Sequence, residues 1–127
     1  MNSSLGSQTE MHASRQLALK ALIDWHSDLH GVVSNLRAYS YCSDLDLVTL
    51  QTRHITDVLK HFVAGLVTAG DVAYWAESLE GREDIGYAKG DEEIISRWLF
   101  VLSSPDINGP LTIQLATEML RQVGHAD

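Results

Sequence analysis

The chain has 127 residues, 45% of them hydrophobic, and a net charge of −8 at neutral pH with an isoelectric point near 5.0. This size and apolar fraction predict one globular domain and exclude a disordered chain or a scaffold that needs disulfides or metal to fold. The negative field disfavours nucleic-acid backbones and anionic membranes as partners and favours a basic protein.

Cys42 is the single cysteine, so no internal disulfide can form. The opening M-N-S-S-L-G-S-Q-T-E has neither the basic nor the apolar region of a secretory signal. No apolar run approaches the roughly 18 residues that span a bilayer. These features together predict a cytoplasmic protein.

Residues 1–8 are small and polar and read as a disordered tail, leaving 9–127 as a single helical domain. A first helix is predicted to start between Thr9 and Ser14 and to reach Tyr39. Leu22, Trp25, Leu29, Val32, Leu36 and Tyr39 follow one another at alternating steps of three and four, one face of an α-helix. Leu17, Ala18 and Ala21 extend that face backwards, and Gly31 inside it marks a bend or a close approach.

Ser43, followed by Asp44 and Asp46, resembles the start of a second helix. Its face is Ile55, Leu59, Phe62 and Leu66, Gly65 or Gly70 ends it, and Arg53 and Asp57 are spaced to pair outside. Thr68 caps a third helix, with Asp71 in the capping-box position. Val72, Trp75, Ala76 and Leu79 form its buried face, and Gly81 stops it.

Residues 81–90 hold three glycines and read as a loop, tacked to the core by Ile85 and Tyr87. A fourth helix begins near Asp91 and buries Ile94, Ile95, Trp98, Leu99 and Leu102, with Glu93 and Arg97 paired along its outside. Pro105 ends it, and a loop carrying both prolines follows. Thr112 caps a last helix through Leu115, Ala116, Met119, Leu120 and Val123, closed by Gly124. No segment alternates cleanly as a strand. The fold class predicted is all-α, an irregular bundle of about five helices.

Six histidines raise a metal reading. His26 and His30 share a helix face, and His54 or His61 on the second helix would complete a site. There is no H-E-x-x-H, no repeated E-x-x-H and no second cysteine, so the residue pattern predicts no metal and no cofactor. Cys42 has no nucleophile signature, and no G-x-S-x-G, P-loop or G-x-G-x-x-G occurs, so no enzyme is predicted. A helix-turn-helix can be drawn from Ile55 to Leu79, but its second helix is acidic and would repel phosphates.

Charge is the more informative feature. Eight acids and two bases lie between Asp71 and Glu93, a net −6 of the chain's −8. Asp91, Glu92 and Glu93 stand at a helix start, where the dipole favours them. Glu77 and Glu80 stand at a helix end, where it does not, and Glu83 and Asp84 follow in the loop. Residues placed against local preference point to function. Glu77, Glu80, Glu83 and Asp84 are therefore the candidate docking residues for a basic partner. The plain alternative is a solvated acidic face.

Two stretches, W-A-E-S-L-E-G-R-E-D-I-G at 75–86 and S-P-D-I-N-G-P-L-T at 104–112, resemble small helical bacterial proteins, among them immunity proteins that neutralise a toxin domain. The resemblance implies a non-enzymatic, stoichiometric inhibitor, acidic because nuclease toxins are basic. Two other readings stand beside it. One is a metal-binding helical protein using the paired histidines. The other is a homo-oligomeric structural module.

Overall fold

The computed structural model describes the backbone of residues 3–25, 28–39 and 45–124, and the side chains of 13–25, 28–39 and 45–122. The chain is mostly helical, an irregular all-α arrangement. Among the described residues it has seven helices and one small two-stranded sheet, where the sequence predicts about five helices and no strand. Within the chain two compact units can be told apart by their contacts. Met1–Thr49 with Gly81–Gly86 form the first, and Leu50–Glu80 with Tyr87–Asp127 form the second.

In the first unit, α1 spans Ser3–Ile23, so the helix takes in residues 3–8 that the sequence reads as tail. No proline interrupts that stretch, and Gly6 alone is a weak breaker. Among its described side chains Leu19, Leu22 and Ile23 are the buried apolar ones, whereas Leu17 is 70% exposed. The buried stripe is thus shifted from the one expected through Leu17.

The long first helix does not continue to Tyr39. Trp25 adopts a left-handed backbone with φ 49°, which ends α1 and costs about 1–2 kcal/mol for a residue with a side chain. Its N–H is taken by the Leu22 carbonyl at 3.1 Å. A new helix, α2 over Leu29–Leu36, then starts from Asp28, whose carboxylate accepts the Gly31 N–H at 3.1 Å. A Cβ at position 31 would run into that carboxylate, so glycine is what lets the cap close. Leu29 and Leu36 are buried.

The second helix also starts later than expected. Val48–Leu50 is a strand, β1, and helix α3 begins only at Thr52 and ends at Val63. Ser43 and Asp44 lie outside the described residues. The β-branched Val48 and Thr49 favour the extended form. Its partner, β2 over Ile85–Tyr87, falls in the predicted loop. Leu47 N–H reaches the Asp84 carbonyl at 2.8 Å and Ala88 N–H the Leu50 carbonyl at 2.9 Å. Both segments advance together along these bonds, so the strands run parallel. The crossover that a parallel pair requires is supplied by α3 and the helix after it.

In the second unit, α4 over Ala69–Leu79 is capped as the sequence predicts. Thr68 Oγ1 accepts the Asp71 N–H at 3.1 Å, and Asp71 accepts the Thr68 N–H at 3.3 Å. Helix α5 spans Glu92–Ser103, and α6, a single turn over Pro105–Asn108, occupies the predicted loop. Thr112 caps α7, Ile113–Gly124, by accepting the Leu115 N–H at 3.1 Å. Helix α4 packs on α5, and α3 on α7. The core holds Ile55, Leu59, Trp75, Leu79, Ile95, Trp98, Leu99 and Ala116, all essentially without exposure. Leu66, expected on a buried face, is 71% exposed because α3 has already ended at Val63. Gly65 follows at φ 80°, a left-handed conformation suited to glycine after a helix.

Candidate functional site

The four acids named from the sequence divide between the two units. Glu77 and Glu80 belong to the second unit, Glu83 and Asp84 to the first. Glu77, Glu80 and Glu83 are exposed. Asp84 is fully buried, which removes it from any solvent-facing docking surface.

The fate of Asp84 follows from its partners. Arg82 grips it as a fork, Nε to Oδ1 at 2.9 Å and Nη2 to Oδ2 at 2.9 Å. Arg15 of α1 brings Nε to the same Oδ2 at 2.8 Å, with Nη2 also at 2.8 Å. The Arg15 guanidinium lies 5.7 Å from the Tyr39 ring centroid, a cation–π contact that ties in the chain after α2. Burial by itself would raise the Asp84 carboxyl. Hydrogen bonds from Arg82 and Arg15, with their charges, outweigh that and hold it below its ordinary value. The Asp84 carbonyl also receives the Leu47 N–H, so both its side chain and its backbone are engaged within the first unit.

The triad carries a second consequence. Arg82 is one of the two bases in the acidic 71–93 stretch, and its side chain is only 3% exposed. It is held on Asp84 rather than displayed beside Glu83. The sequence signal for this cluster was present but oblique. Arg15 stands four residues before buried Leu19 and so lies on the apolar stripe of α1, where a charge needs a partner.

In the second unit, Glu80 is the residue after α4, and its Oε2 accepts the Ser103 hydroxyl at 2.6 Å. Ser103 closes α5. The Tyr87 hydroxyl is pushed up, first by burial and then by the Glu80 charge. A glutamate hydrogen-bonded to a serine resembles an activated nucleophile, but the setting opposes one. Ser103 sits at the negative C-terminal end of α5, which disfavours the alkoxide or oxyanion that catalysis would develop.

The three histidines whose side chains are described, His30, His54 and His61, form no cluster. His30 is exposed on α2, and His61 is exposed on α3. His54 is buried, and its Nδ1 accepts the Gln51 N–H at 2.9 Å, which serves the start of α3. His26 and Cys42 lie outside the described residues. Among the described residues no three His, Cys, Asp or Glu side chains converge as metal ligands, and no helix is long and apolar enough to cross a membrane.

No family model matches the chain, and no curated protein or solved structure is significantly similar to it.

Proposed function

We propose that this protein is a non-enzymatic, cytoplasmic binding protein that engages a basic polypeptide through the exposed acids Glu77 and Glu80 of its second unit. The observation that carries this reading is the withdrawal of the neighbouring base. Arg82 is buried on Asp84, so the acids flanking it in sequence keep their charge at the surface. Glu83 is a further exposed acid in the first unit. Helix α4 carries Asp71 and Glu77 and no base, which supports a protein partner over a nucleic acid. Neutralisation of a basic toxin domain is the form of this activity that the resemblance at 75–86 and 104–112 implies.

The experiment is native mass spectrometry of the protein recovered from its own host, followed by reconstitution with the purified partner. The expected result is a 1:1 complex with a basic polypeptide that weakens as salt rises, because the attraction is partly between exposed charges. Glu77→Lys with Glu80→Lys should abolish it, and Glu83→Lys alone should leave it largely intact. A complex indifferent to the Glu77 and Glu80 reversals would overturn the reading.

A further inference from the structure

In the second unit a chain of hydrogen bonds joins the ends of α4 and α5 to α6, and these elements carry exposed apolar and acidic residues. Ser103 Oγ donates to Glu80 at 2.6 Å and lies 3.3 Å from the Phe100 carbonyl. Asn108 of α6 donates Nδ2–H to that same carbonyl at 3.4 Å and to the Ser104 carbonyl at 3.3 Å. The ends of α4 and α5 and the single turn of α6 are thereby held together. On these elements Phe100 is 44% exposed and Ile107 is 75% exposed. Asp106 is exposed beside Ile107, and Glu77 is exposed one turn before Glu80 on α4.

A second feature sets the kind of occupant. Glu80 follows the last residue of α4, Ser103 is the last residue of α5, and the two are hydrogen-bonded, so two helix C-termini meet here. A helix C-terminus carries up to about half a negative charge, that of α5 being partly offset by the Asn108 amide on the Phe100 and Ser104 carbonyls. Neither helix has a basic residue in its last turn to offset it. Acid side chains and helix ends therefore act with the same sign on the elements that carry exposed Phe100 and Ile107.

We propose that this junction of α4, α5 and α6 docks a basic amphipathic helix, with apolar side chains seated on Phe100 and Ile107 and lysine or arginine meeting Glu77, Glu80, Asp106 and the two helix ends. Charge complementarity selects this occupant. A second copy of the chain would bring the same acids against one another, and an anionic lipid surface would be repelled. The inference rests on the basic-partner reading above and adds to it the apolar anchors and the partner's amphipathic form.

The test uses the whole protein, labelled with ¹⁵N, and a synthetic leucine–lysine amphipathic peptide, with a leucine–glutamate peptide as control. The expected result is that the lysine peptide shifts amides at 77–80 and 100–108 and the glutamate peptide does not. Phe100→Ser with Ile107→Ser should weaken binding by about tenfold or more with every acid intact. Glu77→Gln with Glu80→Gln, which keeps an acceptor for Ser103, should weaken it and flatten its salt dependence. Unchanged circular dichroism and melting temperature confirm that each variant is folded. If the serine variant binds as wild type while the glutamine variant does not, the apolar anchors are wrong and the basic-partner reading stands. If neither variant weakens binding, both fall.

Discussion

Asp84 shows how one residue's environment reverses what its charge suggests. As a letter in an acidic run it reads as surface, yet two guanidiniums share its carboxylate inside the first unit. Removing one member of a buried ion cluster costs about 3–5 kcal/mol, because the others stay desolvated with less compensation. Asp84→Asn should therefore lower the unfolding free energy by that order, measured by urea titration. Glu83→Gln next to it should change little, since Glu83 is exposed. The pH dependence follows from the depressed carboxyl. Its stabilisation is present above the ordinary value of 3.8 and is lost as pH falls through the lower folded value. Wild type and Asp84→Asn should thus differ most at neutral pH and converge in strong acid. A constant difference down to strong acid would contradict this account.

At the scale of elements, the break between α1 and α2 turns on a short capping motif. Glycine inside a helix usually costs up to about 1 kcal/mol relative to alanine, so Gly31→Ala alone would be expected to stabilise α2. Here the added Cβ displaces the Asp28 carboxylate and with it a cap worth about 1 kcal/mol. Gly31→Ala should be neutral or destabilising in the wild type and stabilising in an Asp28→Ala background, a change of sign that thermal melts of the four proteins would show. The notable glycine was legible from its place in the periodic stretch, and a close approach was the expectation. The cap was not legible, because the alternating steps of three and four run straight through Asp28 and conceal the break. Pattern also missed the strands. Three residues of extended chain give too short an alternation to outweigh a helical period, and β1 and β2 stabilise each other only across the crossover between them.

For the whole molecule, the division into two units places the buried ion triad in the first and the tryptophan-rich core of Trp75 and Trp98 in the second. Acid should act on them unequally. Amide exchange followed from neutral pH into strong acid, through the depressed Asp84 value, should release α1, α2 and residues 81–86 before α4 and α5, since Asp84 protonation removes the carboxylate both arginines share. Simultaneous release of α1 and α5 would show that acid lability does not originate at Asp84.

The sequence by itself determined the helical class, the Thr68 and Thr112 caps, the stop at Gly81, the proline-marked end of α5 and the apolar faces of α4, α5 and α7. Each of these depends on residues within a few positions of one another, where propensity, capping and period act directly. Tertiary structure alone decided the parallel strand pair, the burial of Asp84 and the meeting of the α4 and α5 ends through Glu80 and Ser103. Arg15 and Asp84 are 69 positions apart, and Glu80 and Ser103 are 23 apart. A charge in a sequence declares its sign but not its partner, and only the folded chain determines whether it meets water or an opposite charge.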